Sequence, residues 1–320
     1  MFQVSRRDLV LGAAGAGVAF GLTKPVAFID AAMAQQTPPG PGFRKYKVGD
    51  IEVISLYDGV WEKAHDEAFI KGANVEQTKA ELKAGGLTDA FVPVPFTTLA
   101  VKTGGRLVLI DTGTGGGQTG GPKAGLLAQS MAAAGLDPKD VKTILMSHFH
   151  LDHISGLMAK ETNAQMFPDA EIVVPAAELK WWTQPIDSIP QGRRPNAQRV
   201  QATLPNWKNV RVVDGEGDVA PGIRQIPAHG HTQGHTIHLI SSGGKQFISS
   251  ADVTNVNALF VPHPDWQVVF DHVPDEAVAT RKKVFDRVIA DKTMVSGYHW
   301  GLPNVGTIAK DGNGYAFVAA

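Results

Sequence analysis

The ten residues from Ser147 to Gly156, Ser-His-Phe-His-Leu-Asp-His-Ile-Ser-Gly, constrain this chain more than any other stretch. His148, His150, Asp152 and His153 crowd together there, and buried His and Asp need partners, so packing alone does not cluster them. Metal ligation does. The preceding run Val141 to Met146 is apolar and rich in β-branched residues, which predicts a buried strand delivering His148 at its carboxyl end. If that strand continued, His148 and His150 would share one face by the period of two, with Asp152 and His153 turned to a second locus beyond. The pattern therefore predicts one metal on His148 and His150 and another on Asp152 and His153. The alternative is a histidine-rich loop that binds nothing, because short motifs also arise by chance.

Any such metal must be held by histidine and carboxylate, since the 320-residue chain has no cysteine. Thiolate zinc sites, thiol nucleophiles and disulfides are excluded together. The remaining ligand set suits zinc, manganese, iron or cobalt. Lys and Arg number 30 against 31 Asp and Glu, with no basic run, so there is no electrostatic footprint for nucleic acid. A hydrophobic content of 43% supports a substantial core, in one large domain or two small ones.

Residues 1–34 read as an export signal. Ser5-Arg6-Arg7-Asp8-Leu9-Val10 precedes a Gly- and Ala-rich apolar run to Phe20, and Ala32-Met33-Ala34 is a small-residue cleavage site, a combination that resembles a twin-arginine leader. Lys24 and Pro25 interrupt the apolar run short of a spanning length, so no stable membrane insertion is expected. The expectation is a periplasmic protein with a Pro- and Gly-rich linker at 35–42 and a folded domain at 43–320.

Within that domain, alternation on either side of Gly49-Asp50 predicts a hairpin, and Val75 to Ala84 a short helix. Strands are predicted at Thr97 to Lys102 and Arg106 to Ile110, followed by Asp111-Thr112-Gly113 and a glycine-rich loop. That loop lacks the Gly-Lys-Ser/Thr of a phosphate-binding loop and is expected to be flexible and beside the site. Leu126 to Ala134 is helical in period and stops at Gly135. Further strands are predicted at Glu171 to Val174, Val210 to Val213, Ile223 to Ile226, Thr236 to Ser241, Gln246 to Ser250 and Thr293 to Ser296. Helices are predicted at Pro175 to Trp182 and Pro274 to Lys292, with an irregular stretch after Gln184 that holds Arg193-Arg194, read as a solvated loop in preference to a loop folded over the site whose arginines accept an anion. Strands and helices alternate in both halves, so the class is mixed α/β (α+β).

Two metals need more donors, and His229-Gly230-His231-Thr232-Gln233-Gly234-His235, Asp252 and His299 each follow a predicted strand. H-x-H-x-D-H, then G-H-T-x-G-H-T, then an Asp after a strand, then a late His: this order resembles the metallo-beta-lactamase superfamily from about Tyr46 to Val318. The resemblance implies an αβ/βα four-layer sandwich with two divalent ions, zinc foremost. His148, His150 and His231 would hold the first, and Asp152, His153 and His299 the second. Asp252 would bridge them, and Asp152 would pass a proton to the leaving group after attack by a bridging hydroxide. Asp111 and His235 would brace these ligands without touching metal. His229, His238, His263 and His272 are left to structural or surface roles.

Within the superfamily, the pattern is most similar to the exported methyl parathion hydrolase group and its lactonase relatives. The leader, Leu107 to Gly113, the central histidine motif, the Trp182 helix and the closing Asp311-Gly312-Asn313-Gly314-Tyr315 carry that resemblance. It implies an apolar pocket bounded by Trp182 and Phe270. Three departures stand out. Gly115 to Gly121 holds no aromatic residue, none lies between Trp182 and Val200, and Asn255 occupies the place where quorum-quenching lactonases of this fold carry tyrosine. No role attaches to Tyr298. The expected function is hydrolysis of neutral esters or lactones, with phosphotriester cleavage as a side activity. The alternatives are a dedicated organophosphate hydrolase, an acyl homoserine lactonase, a single-iron enzyme that uses oxygen, or a silent metal-binding protein. The expected partner is a small-molecule substrate, and a homodimer is left open.

Overall fold

The computed structural model describes residues 42–320, so the expected leader and nearly all of the linker lie outside the described residues. In chain order the first half contributes β1 (Phe43–Val48), β2 (Ile51–Lys63), β3 (Ile70–Lys71), β4 (Val92–Thr103), β5 (Arg106–Ile110), β6 (Val141–Leu145), β7 (Glu171–Pro175) and β8 (Val210–Val213). The second half contributes β9 (Gly217–Ala220), β10 (Ile223–Pro227), β11 (Thr236–Ser242), β12 (Lys245–Ser249), β13 (Gln267–Val268), β14 (Met294–Ser296), β15 (Val305–Asp311) and β16 (Gly314–Ala319).

Side-chain alternation along the strands sets the layering. In β5, Leu107 and Leu109 enter one core while Val108 and Ile110 enter another, and in β12 Phe247 and Ile248 divide the same way. Strands apolar on both faces must lie between two layers. Two seven-stranded sheets result, ordered β1-β2-β4-β5-β6-β7-β8 and β16-β15-β14-β12-β11-β10-β9. Val53, Leu99, Val101 and Ile110 of the first pack against Ile223, Ile240, Phe247 and Val305 of the second, closing the sandwich. Outside the first sheet, the helices Leu127–Ala133, Ala176–Trp182 and Arg194–Thr203 bury Met131, Trp182, Ala197 and Val200. Outside the second, Pro274–Ala290 buries Val284, Phe285 and Val288. The architecture is thus an αβ/βα four-layer sandwich.

Strand direction then gathers the site. Strands β5, β6 and β7 run parallel, so the chain leaves β5 for Asp111 and β6 for His148 at one edge. In the second sheet β12 and β14 also run parallel and release Asp252 and His299.

Several expectations are corrected. Strand β6 stops at Leu145, so Ser147 to His150 is loop and His148 and His150 do not share a strand face. The chain has to leave the sheet there because Ser147 N is taken by the Asp111 side chain, 2.8 Å away, instead of a neighbouring strand. Pro175 ends β7 and only flanks the helix that follows. The stretch read as irregular after Gln184 contains the ten-residue helix Arg194–Thr203, with Pro195 in its first turn. The terminal hairpin β15-β16 turns at Gly312-Asn313, a glycine-flanked signal that the expectation passed over.

Candidate metal centre

His150 caps the four-residue helix Leu151–Ile154, which carries Asp152 and His153, while His231 lies in the loop between β10 and β11. Asp252 and His299 sit in short 3-10 turns after β12 and β14. The structure brings these seven side chains into two groups, His148, His150, His231 and Asp252 in one and Asp152, His153 and His299 in the other, with potential ligand atoms within 4.8 Å of one another in each. Asp252 connects them. Its Oδ2 lies 3.2 Å from His231 Nε2 and 3.0 Å from His299 Nε2, and its Oδ1 lies 3.2 Å from His153 Nε2.

The partner on the outer nitrogen of each imidazole dictates which nitrogen faces inward. His153 Nδ1 donates to Asp111 Oδ2 at 2.8 Å, His231 Nδ1 to Asp271 Oδ1 at 2.9 Å, and His299 Nδ1 to the Pro95 carbonyl at 2.9 Å. Ser147 Oγ donates to Asp111 Oδ2, so it accepts from His148 Nδ1 at 3.0 Å. His272 Nδ1 must donate to Gln233 Oε1, which leaves its Nε2 to accept from His150 Nε2 at 3.1 Å. Five ring nitrogens therefore point inward and converge, Nδ1 from His150 and Nε2 from the other four.

The inward atoms fit a metal and little else. His148 Nε2, His153 Nε2 and Asp252 Oδ1 are buried with no hydrogen-bond partner, and His150 Nδ1 faces His231 Nε2 at 2.9 Å. Lone pairs packed so closely away from water require a cation. Protons are the competitor: burial disfavours charge on His231, but Asp252 and Asp271 outweigh it and carry its pKa up to about 9. Burial, with the neighbouring histidines, holds His148 and His150 well below the usual range. Metal binding here would displace protons from some of these nitrogens.

The supports are as specific as the ligands. Asp111 takes a left-handed backbone, φ 64°, which is uncommon outside glycine, and spends its carboxylate on Ser147 and His153. Ala251, at φ 45°, turns the chain into Asp252. His235 donates from Nδ1 to the Ala228 carbonyl and accepts the Asp252 N–H at Nε2, 3.1 Å away, and burial holds its pKa down to about 3. It thus braces the Asp252 backbone as an uncharged ring. Behind His231, the Asp271 carboxylate lies 3.8 Å from Arg281, whose other donors reach the carbonyls of Val253, Pro264 and Trp266.

Glu178 was not singled out in the sequence. Fully buried, it accepts from Phe149 N and Trp182 Nε1 on one oxygen and from Thr232 Oγ1 and Gly234 N on the other. It ties the His148–His150 loop to the His231–His235 loop. A Cβ on Gly234 would meet Glu178 N at 2.0 Å, so only glycine lets the two backbones come so close. His272, left to a structural or surface role, instead contacts His150, and its adjacency to Asp271 is the signal that could have marked it. His238 is buried, while His229 and His263 are partly exposed. Tyr298 donates to the Asp152 carbonyl at 2.6 Å and its ring covers His153, with centroids 3.9 Å apart.

A cavity of about 380 Å³ opens over Asp152 and Asp252. Trp182 and Phe270 both line it. Trp182, however, is 1 % exposed and belongs chiefly to the core behind the first sheet. The aromatic wall comes instead from Trp61 of β2 and Phe96 of β4, with Phe270 held 6.3 Å from Trp61 and 5.7 Å from Phe69. Aromatic surface missing from the expected loops is thus supplied from the first sheet. Asn255 lines the cavity too. The glycine-rich loop contributes Thr119 and Gly120 and is anchored by Asp58, which accepts from Thr114 N, Thr114 Oγ1 and Leu127 N. Arg193 reaches the cavity wall, contrary to the solvated-loop expectation, because the helix that begins at Arg194 turns it inward.

The Metallo-beta-lactamase superfamily model matches residues 94–290, more than half of the chain, and the chain belongs to that superfamily. Among solved structures it is similar to AidC, a dizinc quorum-quenching lactonase in complex with its product N-hexanoyl-L-homoserine. That match has 28% identity and a TM-score of 0.80, over 87% of this chain and 97% of AidC. It is also similar in fold to the hydrolase AbOPH of the beta-lactamase superfamily, at 23% identity and a TM-score of 0.78, over 87% of this chain and 97% of that one. An N-acyl homoserine lactonase of a Bacillus species is 29% identical over 108 residues, which is 34% of this chain and 36% of that relative. The chain thus spans about a third of the length of that curated relative.

Proposed function

We propose that this chain is a metal-dependent hydrolase that uses two divalent ions, zinc foremost, to cleave carboxylic esters and lactones. The observation that carries this reading is Asp252, whose two oxygens face histidines of both groups at the floor of the cavity. His148, His150 and His231 would hold one ion, Asp152, His153 and His299 the other, and Asp252 both. Two ions there would act as Lewis acids, lowering the pKa of a shared water and polarising the substrate oxygen.

The chain's own residues supply the rest. Asp152 lines the cavity beside the proposed second metal, where it can carry a proton to the leaving oxygen. Tyr298, bonded to the Asp152 carbonyl, keeps that carboxylate in place. Trp61, Phe96 and Phe270 exclude water from one side of the bound substrate. The lactonase relatives support lactone opening, and phosphotriester cleavage belongs to the proposal as a weaker activity of the same centre.

The test is a panel on one metal-loaded preparation: acyl homoserine lactones, simple lactones, aryl esters, methyl parathion and a cephalosporin. Turnover of lactones or esters that disappears on chelation is expected. Turnover of the cephalosporin alone, or turnover that requires oxygen and a thiol, would overturn the reading. Export to the periplasm is also proposed, on the Arg6-Arg7 leader, and the intact mass of the exported protein, expected to start at Gln35, tests it. Among the described residues no helix is long and apolar enough to cross a membrane.

A further inference from the structure

Two adjacent arginines stand at the start of the helix Arg194–Thr203, and the fold treats them differently. Arg194 is committed locally: Nε donates to the Ile189 carbonyl at 2.9 Å, Nη2 to the Asp187 carbonyl at 3.1 Å, and Nη1 lies 3.6 Å from the Asp187 carboxylate. Arg193 forms part of the cavity wall and makes a single bond, from Nη2 to the Phe270 carbonyl at 3.3 Å. Of its five N–H donors, four remain uncommitted among the described residues. Among the described residues it has no carboxylate partner, whereas Arg211, Arg281 and Arg287 each have one and Arg224 has two.

Burial alone pulls the Arg193 pKa down, with no acid opposing it. A half-buried guanidinium without a counter-charge carries a desolvation cost, which among the described residues only the bond to the Phe270 carbonyl offsets. Among the described residues the carboxylates on the cavity wall are Asp152 and Asp252, and these already face His153, His231 and His299. The cavity therefore has a surplus cation, an aromatic wall and no free acid.

We propose that Arg193 determines the specificity of this cavity by binding a carboxylate that the substrate carries away from the bond being cleaved, so that anionic esters and lactones are preferred over neutral ones. The proposal rests on the hydrolase reading above and departs from the neutral substrate that the sequence suggested. That expectation placed Arg193 in solvent. A planar guanidinium with free parallel N–H groups matches a carboxylate in a two-pronged contact, which lysine cannot reproduce. The carboxylate would supply the missing counter-charge while the aromatic residues cover the carbon chain.

Two esters with the same leaving group, 4-nitrophenyl hydrogen glutarate and 4-nitrophenyl hexanoate, separate the effects of charge and size. The native metal-loaded protein is expected to favour the glutarate in kcat/KM. In Arg193→Met the ratio of glutarate to hexanoate should fall about 30-fold, the scale of a charged hydrogen-bonded contact. Arg193→Lys should recover part of it. The loss should appear mainly in KM, and thermal melting of both variants confirms that they fold. An unchanged ratio in Arg193→Met, or a native protein that favours the hexanoate, would overturn the proposal. If neither ester nor any lactone were hydrolysed, the hydrolase reading would fail by itself. Calorimetric binding of glutarate would then decide the subsite, expected for the native protein and weakened in Arg193→Met, with equal binding by both refuting it.

Discussion

Replacing Glu178 by glutamine changes one atom of a fully buried side chain and tests how the two histidine loops are joined. Burial pushes the Glu178 carboxyl up, while the bonds from Thr232, Phe149, Trp182 and Gly234 pull it back towards the ionised form. Four hydrogen bonds accepted by two oxygens favour the carboxylate, since the acid would have to turn the Thr232 hydroxyl round to accept. In Glu178→Gln the new NH2 must face one pair of donors. Towards Thr232 and Gly234 it is least costly, because the Thr232 hydroxyl can turn to accept, yet the Gly234 N–H, now 3.0 Å from its bond partner, is left without an acceptor. One orphaned buried donor costs about 1–3 kcal/mol, and loss of charge assistance in the remaining bonds adds about 1 kcal/mol. The total is about 3 kcal/mol, a fall in Tm of about 6–12 °C for a domain of this size. Thermal melting with and without metal measures it, and the loss should persist in the metal-free protein because none of the four bonds involves a metal ligand atom. Zinc affinity should also weaken, since the loops carrying His150 and His231 lose their common anchor. A variant that melts within about 1 °C of the native protein would refute the reasoning, because a neutral, protonated Glu178 is the one state that glutamine imitates at no cost.

Asp252→Ala should reduce bound metal from about two ions per chain to one or fewer and abolish hydrolysis, while His235→Ala, which loses only contacts to backbone atoms, should retain most of both; metal analysis after gel filtration decides, and full metal content in Asp252→Ala would sink the shared-ligand assignment. Trp182→Ala should lower stability by about 3–5 kcal/mol because the side chain is core, whereas Phe270→Ala, half-buried at the cavity, should chiefly raise KM for bulky substrates. Chemical denaturation alongside steady-state kinetics separates the two, and the opposite pattern would refute their placement.

The clustering of the candidate ligands was legible in the sequence because residues suited to metal chemistry leave a dense local signature. Histidine and aspartate have few other reasons to stand at such spacing, and His148, His150, Asp152 and His153 were marked without knowledge of the fold. Strand and helix positions were legible for a similar reason. Val75–Ala84, for example, matches its expected bounds, since Asn74 and Gln77 form a reciprocal cap that is local in sequence. What tertiary structure alone decided is everything that depends on which distant atoms meet. Glu178 looks like an ordinary helix carboxylate until the fold sets it between Phe149 and Gly234. His272 looks like a surface histidine until β13 pairs with β3 and the following turn places it against His150. The aromatic wall could not be read from the loops because Trp61 and Phe96 reach it from paired strands β2 and β4. Arg193 and Arg194 are chemically identical in sequence, and the start of a helix sends one to Asp187 and the other to the cavity. Ligand chemistry is a property of residue types at short range, while orientation, burial and counter-charge arise from contacts between segments far apart in the chain.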